Sequence, residues 1–316
     1  SLVMEGDQDF GEAVTVETKP SVPLPSERIS PDRLSHLSES QRTELLHILD
    51  KYACVFSDKP GFTNAAVHHI ELTTDFRPKR LPEYHIPTRL RAEVDRQITV
   101  MLQMGIIRPS TSPMASPVVC VLKGPQGRDG VRLANDYRYI NKYTVPDQFP
   151  VPNMDDLIEE IGNSKFITLC DAKSGYWQCG IAEGDEWKTA FICNGNMYEY
   201  CRVPFGMKCA GSTFCRAMQV ILHRIRDIVK GYVDDLVVGT IEWKTHLSHL
   251  ETFLRTIKES GVTLSLKKCR FAEPRVRFCA RLVGNGSWSP DPEKTQAVKE
   301  MQRPRNQTEL KRVLGS

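Results

Sequence analysis

The segment Gly231-Tyr232-Val233-Asp234-Asp235-Leu236-Val237-Val238-Gly239 constrains this chain more than any other stretch. β-Prone runs flank it, 228–233 before the two carboxylates and 236–238 after them, so the pair is predicted to fall at the turn of a tight hairpin. Such a tip gathers charge at one edge of a sheet. A third carboxylate, Asp171, closes another β-prone run, Phe166-Ile167-Thr168-Leu169-Cys170-Asp171. With that strand beside the hairpin, Asp171 and Asp234 could share divalent cations about 3.5–4 Å apart, the arrangement of two-metal phosphoryl transfer. Taken by itself, Asp-Asp fits a solvated β-turn equally well, because Asp favours turns through side-chain to backbone hydrogen bonds. The motif therefore needs its neighbours.

With 316 residues, 40% hydrophobic and 26% charged, the chain is long and apolar enough to bury a substantial core in two or three subdomains. No apolar run reaches the roughly 18 residues that span a bilayer. The first residues, Ser1-Leu2-Val3-Met4-Glu5-Gly6-Asp7, have neither a basic n-region nor an apolar h-region. These features predict an intracellular protein without a membrane partner. Ten cysteines are scattered without one Cys-x-x-Cys pair, so neither a zinc site nor a disulfide framework is signalled, and reduced thiols are expected. The net charge of +3 is unevenly placed. Residues 1–35 hold three basic against seven acidic residues, whereas 261–316 hold twelve basic against five acidic, so a phosphate backbone would prefer the C-terminal end. A solvated helix face explains such a basic stretch about as well.

Residues 1–35 mix Pro, Ser, Glu and Val without periodicity and read as a disordered linker. From Ser38 a helical pattern sets Leu45, Leu46, Leu49 and Tyr52 on one face. Further helices are predicted over 89–104, 153–162, 211–226 and 245–260, the last stopped by Gly261. Strands are predicted over 118–122, 131–135, 166–171, 176–182 and 188–193. Because strands and helices interleave without strict alternation, an α+β fold is expected rather than a doubly wound sheet. No internal repeat is evident.

Five blocks follow one another in a fixed order: Gly105-Ile106-Ile107-Arg108-Pro109-Ser110-Thr111-Ser112-Pro113, Arg132-Leu133-Ala134-Asn135-Asp136-Tyr137-Arg138, Asp171-Ala172-Lys173-Ser174-Gly175-Tyr176-Trp177-Gln178, Val203-Pro204-Phe205-Gly206-Met207 and Tyr232-Val233-Asp234-Asp235. In that order, over about 37–314, the chain resembles the reverse transcriptases of gypsy-class LTR retrotransposons and their retroviral relatives. The resemblance implies a right-hand polymerase. Its parts would be an N-terminal lead-in over 36–79, fingers over 80–165, a palm over 166–285 with a return to the fingers near 175–205, and a truncated thumb from 286. It also implies a piece of a retrotransposon Pol polyprotein that works in a cytoplasmic virus-like particle. The protease, ribonuclease H and integrase regions of such a polyprotein are not found in this chain.

Matched position by position, the resemblance implies that Asp171, Asp234 and Asp235 are the catalytic carboxylates. They would hold two Mg²⁺ ions, replaceable by Mn²⁺, with the Ala172 carbonyl as a further ligand. Lys123 and Arg132 match residues that clamp the incoming triphosphate, the first as a mobile point charge and the second as a planar fork. Without the resemblance both read as solvated charges. Gly175 and Tyr176 match the position under the incoming sugar, where a ring excludes a 2′-hydroxyl; periodicity by itself would make Tyr176 a core aromatic. Phe205 and Gly206 match the turn beside the nucleotide pocket. Tyr232 and Val233, with Ala280, Arg281, Leu282 and Val283, match residues that position the primer end. The implied partners are an RNA template, a DNA primer–template duplex and dNTPs. The sequence departs from the pattern at Ala280-Arg281, where Gly-His is usual, at Asn135 for an aliphatic, at Cys209 for Asn, and at Gly239-Thr240 for Phe-Ser. These departures define the rival reading, a decayed, non-catalytic fragment that only binds nucleic acid or serves as a structural subunit.

Overall fold

Strand β5 (Phe166–Asp171) pairs antiparallel with strand β10 (Asp235–Thr240), from Asp171 opposite Asp235 to Phe166 opposite Thr240. In the computed structural model the described residues are 23–122, 130–147, 149–150, 153–172, 174–290 and 296. Strands β9 (Val229–Tyr232) and β11 (Arg270–Glu273) extend this sheet on either side, in the order β11-β5-β10-β9. Successive strand side chains point to opposite faces, and the apolar pattern uses both. Cys170, Leu236 and Val238 enter the main core with Phe214 and Met218 of α6 (Ala210–Leu222) and Leu250, Phe253 and Leu254 of α7 (Trp243–Ser260). Ile167 and Val237 enter a smaller cluster with Leu157, Ile158 and Ile161 of α5 (Met154–Gly162). Val276 and Phe278 of β12 (Val276–Phe278) and Val283 of β13 (Arg281–Gly284) complete it. Each such fully buried side chain contributes roughly 1.5–3 kcal/mol, so the central sheet is held from both sides.

Among the described residues, strand β14 (Ser287–Pro290) completes a three-stranded antiparallel sheet with β12 and β13. A five-stranded sheet runs β2 (Ile107–Pro109), β8 (Asn196–Tyr200), β7 (Phe191–Cys193), β3 (Ser116–Leu122), β4 (Val131–Asn135). Strand β1 (Thr63–His68) pairs with β6 (Cys179–Ile181). Except for the short parallel pairs β1–β6 and β3–β7, the pairing is antiparallel, and the fold is the α+β arrangement expected.

Local signals account for most helix bounds. Helix α2 (Glu39–Lys51) opens with a capping box in which Gln41 N–H donates to Ser38 Oγ and Ser38 N–H donates to Gln41 Oε1. Helix α3 (Thr88–Gln103) buries Val94, Ile98 and Met101 at helical spacing. Asn153 caps α5 by accepting from Asp155 N–H at 3.0 Å, and Gly261 ends α7 at φ +76°. Helix α4 (Arg138–Tyr143) follows β4.

Four expectations change. The strand predicted over 188–193 opens in the 3₁₀ turn Glu186–Thr189 and is a strand only over Phe191–Cys193. The linker predicted over 1–35 holds structure from Pro25. Helix α1 (Pro25–Arg28) and a 3₁₀ turn at Pro31–Leu34 place Ile29 and Leu34 in the main core, and non-periodic apolar residues give no sign of that before folding. The strand predicted over 176–182 begins as a 3₁₀ turn, Gly175–Gln178, because Ser174 takes φ +48° and reverses the chain. The helix predicted over 211–226 gives way after Leu222 to a 3₁₀ turn, His223–Ile225. Residues 1–22, Lys123 and, of the predicted thumb segment, 291–295 and 297–316 lie outside the described residues. Among those described, no helix is long and apolar enough to cross a membrane.

Candidate active site

The hairpin places the two aspartates differently from the expectation that both sit at its tip. Tyr232 pairs with Asp235, so the two-residue turn is Val233-Asp234, and Asp235 opens the return strand. Val233 takes φ +56°, a left-handed conformation that a β-branched residue resists at about 1–3 kcal/mol. This strain leaves Asp234 exposed at the turn. Directly opposite residues of an antiparallel pair project to the same face, so Asp171 and Asp235 stand side by side. Ala172, just past β5, is buried and donates its N–H to the Asp234 carbonyl at 3.1 Å, which ties the strand end to the turn.

Burial pushes the Asp235 carboxyl up to about 6, and the charges of Asp234 and Asp171 push the same way; the Lys268 ammonium opposes them. That crowding is the cost of gathering carboxylates in a partly dry place. The Asp171 carboxylate is turned to Lys268, whose Nζ donates to Oδ1 at 3.1 Å and Oδ2 at 3.0 Å. Among the described residues no three His, Cys, Asp or Glu side chains converge as a ready-made cation cage. The donor set nevertheless suits a hard divalent cation, being all oxygen and mutually repelling without one.

The sheet β12–β14 abuts this cluster. Its turn, Cys279-Ala280, takes φ +49° and +61°, the two positive values of a type I′ hairpin. The Tyr232 ring meets Phe278 edge-on at 6.3 Å, and the Cys279 thiol is pushed up to about 11 by burial and by the charges of Asp235 and Asp234. The turn therefore lies within electrostatic reach of the Asp234 and Asp235 carboxylates. Arg281 is anchored by donation from Nη1 to Asp155 Oδ1 at 2.7 Å and by its guanidinium over the Trp288 ring at 4.4 Å. Val283 is fully buried in the smaller cluster and Leu282 is half-buried.

Tyr176 comes close enough to Asp234 for the carboxylate to help burial raise its phenol pKa. Its ring packs on Phe205 at 5.2 Å and on Phe214 at 6.1 Å. A Cβ on Gly175 would stand 3.0 Å from the Phe214 ring, so a side chain there would have to push that ring aside by a few tenths of an ångström. Phe205 is 43% exposed and Gly206 takes φ +91°. Arg132 and Phe205 line one cavity of 220 Å³ with Asn135, Ser174, Trp177 and Tyr200. A second cavity, of 340 Å³, reaches the Val233 turn from α6 and is lined by apolar Phe149, Leu157 and Met218 with basic Arg226 and Lys230.

The departures from the family pattern are accommodated. Asn135 Nδ2 lies 3.0 Å from both the Tyr137 and Tyr200 hydroxyls. Cys209 takes φ +68° before α6, a conformation in which Asn is at ease. A side chain on Gly239 would collide with the Ser164 hydroxyl. Two neighbours of the carboxylates, Lys268 and Cys279, escape sequence reasoning. Nothing in Leu264-Ser265-Leu266-Lys267-Lys268-Cys269 distinguishes one lysine from a solvated charge.

Comparison with known proteins bears on the family and the fold. Residues 122–298, more than half of the chain, match the family model described as reverse transcriptase (RNA-dependent DNA polymerase). The retrovirus-related Pol polyprotein from transposon opus of Drosophila melanogaster is 37% identical over 235 residues, 73% of this chain and 23% of that protein. The corresponding polyproteins from transposons 297 and gypsy of the same organism are 31% and 35% identical, over 90% and 80% of this chain. The chain spans about a quarter of the length of these relatives. Among solved structures, the foamy viral protease-reverse transcriptase in complex with double-stranded DNA superposes with a TM-score of 0.82, at 24% identity, over 93% of this chain and 52% of that one. The same viral protein in complex with RNA/DNA hybrid gives 0.79 at 24% identity, over 93% of this chain and 40% of that one.

Proposed function

The chain belongs to the reverse transcriptase family, in the form carried by LTR-retrotransposon Pol polyproteins, and from that premise we propose that it is an RNA-directed DNA polymerase domain that adds dNTPs to a primer 3′-hydroxyl. The observation that carries this reading is the register of the central sheet, with Asp171 opposite Asp235 and Asp234 in the two-residue turn beside them. Asp171, Asp234 and Asp235, with the Ala172 carbonyl, would hold two Mg²⁺ or Mn²⁺ ions, which when bound acidify the primer hydroxyl and screen the triphosphate. The residues around them supply positioning. Tyr176 closes the floor under the incoming sugar, Phe205 and Gly206 border it, and Arg132, with Lys123, contacts phosphate. Tyr232, Val233 and the hairpin carrying Ala280, Arg281, Leu282 and Val283 hold the primer end against the carboxylates.

The division into a lead-in over 36–79, fingers over 80–165, palm over 166–285 and thumb from 286 belongs to the same proposal. Strands β7 and β8 join β2, β3 and β4 in one sheet, which supports a return of the chain to the fingers near 175–205. The foamy viral neighbours were solved with double-stranded DNA and with RNA/DNA hybrid, and the RNA template and primer–template duplex proposed here as partners are of those classes. A cytoplasmic virus-like particle and neighbouring protease, ribonuclease H and integrase regions complete the proposed setting.

Extension of a DNA primer on an RNA template with dNTPs and Mg²⁺ tests the reading. Asp234→Asn should reduce incorporation by about 10³-fold or more while the melting temperature holds, because a metal ligand is lost at an exposed turn position. EDTA should abolish the products as well; incorporation that survives Asp234→Asn would refute the assignment. Tyr176→Ala should raise ribonucleotide use relative to deoxynucleotide use, and an unchanged ratio would remove Tyr176 from the sugar site.

A further inference from the structure

The loop 264–269 carries the cation that Asp171 faces, and it is held from four directions. Ser265 N–H donates to the Asp171 carbonyl at 2.9 Å, Leu264 bridges to Ala172, and Leu264 N–H donates to the Val55 carbonyl at 2.8 Å. The Lys268 and Cys269 amides both turn back onto the Ser265 carbonyl. From the N-terminal segment, Arg33 Nη2 donates to the Leu266 and Cys269 carbonyls on either side of Lys268. Leu266 and Cys269 are buried in the main core. The Lys268 backbone is thus fixed, while its side chain is 65% exposed and reaches across to both carboxylate oxygens. An ammonium seated on both oxygens stands where a divalent cation would draw on the same lone pairs.

We propose that Lys268 is a resident counter-cation for Asp171, which a divalent metal must displace in order to bind. Metal loading is then an exchange of one cation for another, not a simple addition. The ammonium relieves carboxylate repulsion while no metal is bound, so the strands and the turn keep their register, and its competition weakens metal affinity. Lys268 acts through Asp171 and is a positioning residue. The inference rests on the reading of Asp171 as a metal ligand.

Mn²⁺ binding to the full chain, followed by loss of the free-ion electron paramagnetic resonance signal, tests it without any turnover. An exposed ion pair has a modest strength, so Lys268→Met should tighten Mn²⁺ binding by about threefold. Lys268→Arg, which keeps the charge, should stay within error of the parent, and Asp171→Asn should bind far more weakly. The rise in melting temperature on adding Mn²⁺ should be larger in Lys268→Met than in the parent. Lys268→Gln repeats the test should the Met variant fold poorly. Unchanged or weaker affinity in Lys268→Met, with Asp171→Asn still impaired, would overturn the counter-cation and leave the metal site standing. Equal tightening in Lys268→Arg would also overturn it. Absence of Mn²⁺ binding in the parent would remove the metal site and this inference together.

Discussion

The two faces of the central sheet carry different burdens. On one, Cys170, Leu236 and Val238 meet a core fed by α6, α7 and the N-terminal segments. On the other, Ile167 and Val237 meet six further buried residues, shared among α5, β12 and β13. The carboxylates Asp171 and Asp235 lie on this second face, at the end of the strands. The large cluster joins helices and strands from most of the chain, whereas the small one joins α5 and the β12–β13 hairpin to the sheet face that bears Asp171 and Asp235. A site built on the smaller cluster is adjustable without global unfolding, and it is also easier to misplace.

Paired truncations break this comparison most directly. Phe253→Ala, in the large cluster, should cost about 3–5 kcal/mol of global stability, with the activity of the remaining folded protein little changed. Phe278→Ala, which also undercuts the Tyr232 ring, should cost less stability but impair primer extension per folded molecule, read as a rise in KM for primer–template. Denaturant melts beside active-site-normalised kinetics decide it; a reversed ranking would show that the two faces are not separable.

Protonation tests the large-cluster face more gently. His246 lies fully buried there, with Nε2 2.8 Å from Thr168 Oγ1 and Nδ1 3.0 Å from Thr240 Oγ1, and burial lowers its pKa from 6.5 to about 4. Because the unfolded chain takes up the proton near 6.5 and the folded one only near 4, stability is complete above that window and falls as pH drops through it. The fall should reach roughly 3 kcal/mol for this histidine. His68, also buried and lowered to about 4, adds to the same slope. Asp235, raised to about 6, works in the opposite sense over the same window, so the test is the difference between variant and parent: His246→Gln should lose less stability than the parent in a melting series from pH 7 to 4, and equal losses would contradict the assignment. The smallest effect is expected on the other face. Arg281→Ala loses the Asp155 bond and the Trp288 stack and should lower the melting temperature by about 2 °C, since so exposed a pair contributes little. A loss several times larger would mean that Arg281 anchors the primer hairpin as a whole.

Legibility in the sequence followed contact distance. The Asn153 cap, the Gly261 stop and the Val94, Ile98, Met101 stripe are short-range features readable from neighbouring residues, as was the presence of the hairpin, though not which aspartate opens its return strand. The strand that begins instead as the 3₁₀ turn at Gly175 was not, because it follows a left-handed Ser174 and packs close under the Phe214 ring, and neither shows as a periodicity. The packing of Ile29 and Leu34 escaped for the same reason: their partners are distant.

By itself the sequence determined where most helices lie, the presence of a hairpin at 228–238, the α+β class and, through five ordered blocks, the family. Local backbone preferences and residue identities suffice for those. The tertiary structure decided that Asp235 and not Asp234 faces Asp171, that Asp235 and Asp234 both act on the Cys279 thiol, that Lys268 meets Asp171 from 97 residues away, and that Arg33 holds the Lys268 loop at Cys269 from 236 residues away. Such pairings depend on which distant surfaces close over a shared core, and no stretch of neighbouring residues encodes that closure.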